Sequence, residues 1–170
     1  PGLSPHDASS IRYICTGTTL ESDLFIPRDD PKLTTVMSSF GRPCQLPYVA
    51  LHPLLAQPDA LDPMADASGR MESHLAPETG ACCWRNTPWW RMRAFETQAE
   101  LLFSDVSGGL RALMERMLAQ GLESDARLCE KLAVLLAESD EAEARKTAEQ
   151  ADDSALHAAL HTLEDYARAN

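Results

Sequence analysis

Between residues 89 and 117 the apolar positions fall at Trp89, Met92, Phe95, Ala99, Leu102, Val106, Leu110, Leu113 and Met117. The steps are all three or four, so these side chains share one face of a helix. Thr87 followed by Pro88 supplies a start: a capping hydroxyl, then a proline at the first helical position. Gly108-Gly109 interrupts the stripe, and a glycine costs ~1 kcal/mol relative to alanine in a helix interior. The pattern therefore predicts one kinked helix or two, over about 88–106 and 108–120, closed by Gly121. A further helix over about 124–138 turns Leu128, Leu132, Leu135 and Leu136 inward. Ser139 is placed to cap a polar segment, 140–151, whose only apolar residues are alanines. A last helix, about 153–168, carries Leu156, Leu160, Leu163 and Ala167 on one stripe. Stripes of this kind are satisfied by packing on one another, which predicts a bundle.

The first half reads differently. All eleven prolines lie at or before Pro88. Asp30-Pro31 and Asp62-Pro63 repeat the cap-then-proline signal. Leu33, Met37 and Phe40 follow the first at helical spacing, with Gly41 as a left-handed stop, so a short helix is predicted at 31–40. Met64, Ala67, Met71 and Leu75 follow the second, predicting a helix at 63–75 closed by Pro77. Residues 45–57 are apolar but broken by proline, and are expected to lie extended or partly helical on the core. The β-branched and aromatic residues of 11–16 suit a short strand. The predicted fold is mainly α: a C-terminal helical bundle of three to five helices, residues 87–170, with an irregular, proline-rich N-terminal half, residues 1–86, packed along it.

Composition narrows the function. The chain has 170 residues, 44% of them hydrophobic and 24% charged, enough for one domain with a sizeable core. Its formal net charge is −11, which disfavours nucleic acid and anionic membrane surfaces as partners. The longest uncharged stretch, 43–58, contains two internal prolines and is too short for a membrane span. No basic start followed by an apolar run marks a signal peptide, and the opening Pro-Gly fits either a removed methionine or a cleaved leader. Five cysteines at irregular spacing, Cys15, Cys44, Cys82, Cys83 and Cys129, do not form a disulfide framework; a reducing compartment is the simplest setting, with one or two isolated disulfides as the alternative in an intermembrane or secreted one.

Three groups of residues carry possible chemistry. His157, His161 and Asp165 follow one another at steps of four, the spacing of helical metal pairs. They lie about 110° round the helix from the leucine stripe, so they read as surface residues and no metal site is expected. Cys82-Cys83 is an adjacent pair without redox spacing; a catalytic thiol there needs a basic neighbour such as Arg85 and a distant histidine. Trp84, Arg85, Trp89, Trp90, Arg91 and Arg93 interleave aromatic and guanidinium groups, a composition shared by core anchors and protein interfaces. Trp89 is in register with Met92 and Phe95 and is expected inside, which leaves Trp84, Arg85, Trp90, Arg91 and Arg93 as the candidate partner interface. Arg91 and Arg93 also sit at a helix start, against the dipole, so an acidic group in the chain or on a partner should compensate them.

Phosphate loops, nucleophile elbows, helical zinc-protease motifs and calcium loops are missing, and no cofactor is indicated. The expected function is a non-catalytic accessory or structural subunit of a larger protein assembly, bound to other protein subunits. The alternatives are a stand-alone adaptor, chaperone-like or effector protein with one partner, and a thiol-dependent enzyme using Cys82 or Cys83.

Overall fold

The computed structural model describes residues 21–56, 88–101 and 103–169, with the side chains of 88–90 and 100–107 outside that description. The predicted helix at 63–75, the strand at 11–16, Cys82, Cys83, Trp84 and Arg85 all lie outside the described residues.

The described part is mostly helical. Three helices, α1 (Pro88–Leu101), α2 (Phe103–Ala137) and α3 (Glu141–Ala169), pack with a small antiparallel sheet of β1 (Ser22–Ile26), β2 (Thr35–Ser39) and β3 (Val49–Leu51), in the order β1-β2-β3. No helix among the described residues is long and apolar enough to cross a membrane.

The predicted apolar stripes are the buried faces. Met92, Phe95, Ala99, Leu110 and Leu113 join Leu156, Leu160 and Leu163 in one core cluster. Phe40, Leu46, Val49 and Leu51 from the first half complete it, so the two halves share a core. A second cluster sets Leu33, Leu55 and Ala56 against Leu132, Ala144 and Ala148.

Three expectations about element boundaries are corrected. The helix at 31–40 is only a 3-10 turn over Pro31–Leu33, capped by Asp30, whose carboxylate accepts from Lys32 N–H at 2.9 Å. The chain then enters β2, the central strand, buried at every position. A strand covered on both faces shows no alternation, so the chance spacing of Leu33, Met37 and Phe40 mimics a helix there. Next, α2 runs unbroken through Gly108, Gly109 and Gly121. The buried Leu110 and Leu113 hold the helix where propensity opposes it, because tertiary packing outweighs the glycine cost. Gly109 also lets α3 come close: a Cβ there would stand 3.0 Å from the Tyr166 hydroxyl oxygen. Last, α3 is continuous from Glu141, and 140–151 is not a separate polar segment. Ser139 occupies the turn with φ 62°, and Asp140 provides the cap, accepting from Glu143 N–H at 3.2 Å. Ala144 and Ala148 are the buried face of that first stretch, small enough to bring α3 against Leu132 of α2.

Candidate functional site

Four side chains far apart in sequence meet beneath the end of β3. His52 directly follows that strand, Asp125 and Cys129 lie one turn apart on α2, and Asp152 lies on α3. His52 and Asp152 are each 1% exposed, Asp125 2% and Cys129 7%. The local chain explains how His52 is held. Its carbonyl accepts from the amides of Leu55 and Ala56, both at 2.9 Å, starting a tight turn. Its own N–H donates to Asp152 Oδ2 at 2.8 Å.

The imidazole lies between two carboxylates. Nδ1 is 2.7 Å from Asp152 Oδ1 and Nε2 is 3.1 Å from Asp125 Oδ1. Neither oxygen can donate when ionised, so the doubly protonated ring is the form that satisfies both contacts. Burial alone would lower the His52 pKa, but the hydrogen bonds to Asp125 and Asp152 and the charge of Asp152 raise it from 6.5 to about 10. Burial opposes ionisation of Asp125 as well; the hydrogen bonds from His52 and Thr35 and the charges of His52 and Arg28 outweigh it and hold the carboxyl below its usual value.

Asp125 is the hub. Thr35 Oγ1, from the first residue of β2, donates to Oδ1 at 2.7 Å, and Arg28 Nη2 donates to Oδ2 at 2.6 Å. The Cys129 thiol is 3.7 Å from Asp125 Oδ1, 3.9 Å from His52 Nε2, 3.8 Å from Thr35 Oγ1 and 3.8 Å from the Leu33 carbonyl. Asp125, His52 and Cys129 are also the one group of potential metal ligands found among the described residues, with ligand atoms all within 4.8 Å of one another. A groove of about 590 Å³ runs between β3, α2 and α3; His52, Asp125 and Asp152 line it and Cys129 does not. The thiol thus has an imidazole nearby but does not face the groove, which argues against Cys129 as a nucleophile for a substrate bound there.

A second buried ionic cluster ties the first half to α1. Glu96 Oε1 accepts from the Arg42 amide at 2.7 Å and from Arg42 Nε at 2.8 Å, and Arg93 Nη1 donates to Oε2. Gly41 permits this approach. Its φ is +152°, and a Cβ there would stand 2.7 Å from Leu46 Cδ1 and 3.0 Å from Glu96 Oε1.

The sequence-derived candidates fall elsewhere. Arg93 pairs with Glu96 and Arg91 with Glu164 on α3, so acidic groups within the chain compensate both guanidiniums at the start of α1. Trp90 belongs to α1, with its side chain outside the described residues. His157 and His161 are exposed, His161 pairing with Asp165 at 3.0 Å. Cys44 is disulfide-bonded to a partner outside the described residues, whereas Cys129 is a free thiol.

None of the four buried residues is signalled by a short motif, but each acid interrupts an apolar helical stripe. Asp152 continues the series Ala144, Ala148, Leu156, Leu160; Asp125 lies between Met117 and Leu132 on the inner face of α2; Glu96 lies beside Phe95. An acid on an apolar face must meet a partner once folded, which is the signal available from sequence. Searches against protein-family models, curated proteins and solved structures find no match for this chain.

Proposed function

We propose that the chain is a non-catalytic accessory subunit that acts through protein–protein contacts, and that β1 is the surface it offers. The observation that carries this reading is the state of that strand. Leu24 is 47% exposed and Phe25 70% exposed, and as neighbours on a strand they point to opposite faces. β1 is at the edge of the sheet, bonded to β2 on one side and to no strand on the other among the described residues. An edge that shows apolar side chains on both faces invites a partner strand, which takes up the free backbone groups while pockets cover the side chains. The net charge of −11 favours a neutral or basic partner. Trp84, Arg85 and Trp90 are a second candidate contact within the same reading, with Arg91 and Arg93 already engaged inside the chain. The disulfide at Cys44 fits an oxidising compartment better than the reducing one suggested by the cysteine count.

The test is purification from native extract followed by sizing. The wild-type chain should elute in a complex. Phe25→Asp should elute as the free chain with an unchanged melting temperature. A wild-type chain that elutes alone, or a Phe25→Asp variant that keeps its complex, overturns the proposal.

A further inference from the structure

We infer that His52 Nε2, Asp125 Oδ1 and Cys129 Sγ form a binding site for one transition-metal ion, and that the ion is Zn²⁺. The argument begins with size. Zinc binds thiolate sulfur at ~2.3 Å and imidazole nitrogen or carboxylate oxygen at ~2.0–2.2 Å, so neighbouring ligands of a tetrahedral site stand roughly 3.3–3.6 Å apart. The three atoms here are separated by 3.1, 3.7 and 3.9 Å. The circle through the three atoms has a radius of about 2.1 Å, so an ion held ~0.7 Å off their plane lies ~2.2 Å from each, and they already outline one face of a zinc tetrahedron. Little movement is needed to receive the ion.

The surroundings have the form that zinc sites require. A histidine ligand is oriented by a carboxylate on its other ring nitrogen, and Asp152 holds Nδ1 at 2.7 Å while also fixing the backbone of His52. The carboxylate ligand is oriented in turn by Arg28 on its second oxygen. Ligand softness selects the metal: thiolate, imidazole and one carboxylate suit zinc and exclude calcium and magnesium, which take oxygen ligands. The groove provides a way in, because His52 and Asp125 both line it, and it supplies a water for the fourth position. Charge balances as well. The ion displaces two protons, one from Nε2 and one from the thiol, and both leave to solvent. Two positive charges replace two, so the buried cluster keeps its net charge. The bound ion ties the end of β3 to α2.

The test uses the full chain, stripped with a chelator and titrated with Co²⁺ and then Zn²⁺. One equivalent of Co²⁺ should bind with a thiolate-to-cobalt charge-transfer band, and one equivalent of Zn²⁺ should displace it. Cys129→Ser should abolish the band and weaken Zn²⁺ binding at least ~100-fold. Asp152, a positioning residue, gives a different signature: Asp152→Asn should keep the band and weaken Zn²⁺ binding ~10–100-fold. The other cysteines, Cys15, Cys82 and Cys83, one of which is bonded to Cys44, make the sulfur count decisive. X-ray absorption of the zinc-loaded wild-type chain reads that count whether or not the variants fold. One sulfur at ~2.3 Å with nitrogen and oxygen at ~2.0–2.2 Å is expected. A zinc shell with no sulfur or with several overturns the proposal, as does a wild-type chain that fails to take up one equivalent of Zn²⁺. A folded Cys129→Ser variant that binds like the wild type does the same.

Discussion

Two buried ionic clusters attach the first half of the chain to the helices, and they are built from different chemistry. Around Glu96 the cations are Arg42 and Arg93. Guanidinium groups stay charged across all accessible pH, so the cations of this cluster are not lost as pH rises. Around Asp125 the cations are Arg28, at the rim and 2.6 Å away, and the fully buried His52 imidazolium at 3.1 Å, which has a thiol 3.9 Å from its Nε2. That cluster can lose its proton, and it can exchange protons for a metal. The first is a fixed fastening between residues 41–42 and α1. The second joins the end of β3 to α2 and α3 and responds to its surroundings.

The largest expected effects test whether the clusters differ in this way. Glu96→Ala takes the carboxylate from two guanidiniums, and Asp125→Ala takes it from His52, Thr35 and Arg28. Each should destabilise the metal-free protein by ~3–5 kcal/mol near neutral pH, the cost of removing one side of a buried pair. At pH 10 the two should separate in urea unfolding. The Asp125→Ala cost should shrink as His52 loses its charge, and the Glu96→Ala cost should stay. Equal costs at both pH values would erase the distinction.

A pH series on the wild type, with chelator present, is the next largest effect. The pKa of His52 is raised from 6.5 to about 10, so its contribution is complete below pH 6.5 and is lost as pH rises towards 10. Asp125 is shifted down from 3.8, so its contribution is complete above that value and is lost as pH falls through the lowered one. Melting temperature should therefore fall on the alkaline side of pH 6.5, and His52→Gln should flatten that arm. Gly41→Ala comes third, at ~1–3 kcal/mol, because it adds backbone strain and a Cβ 2.7 Å from Leu46 Cδ1 and 3.0 Å from Glu96 Oε1. Thermal melts should show the loss without any change in its pH dependence. The smallest effect is at the exposed pair: His161→Ala should change stability by less than ~0.5 kcal/mol, since a pair of this kind is screened by solvent.

Legibility in the sequence followed the strength of the apolar signal. Met92, Phe95, Ala99, Leu110 and Leu113 declared the inner faces of α1 and α2, and Leu156, Leu160 and Leu163 that of α3. The alanine face of Ala144 and Ala148 gave no such signal, because a methyl group contributes little to a pattern although it packs at 0% exposure. β2 was hidden by Met37 and Phe40; Thr35 and Val36, both β-branched, were the local cue for a strand. The candidate site was the least legible part. Asp125 and Cys129 share a helix face at a step of four, but His52 lies 73 residues from Asp125 and 100 residues from Asp152. No local spacing rule spans such distances, and only the fold brings the four together.

The central claim is that His52 is held charged between two buried carboxylates at the junction of β3, α2 and α3. It is tested most directly by following the His52 ring nitrogens by NMR as a function of pH in chelator-treated protein. The predicted result is an imidazolium still protonated on both nitrogens at pH 8, titrating near pH 10. A ring that is already neutral at pH 7 would contradict it.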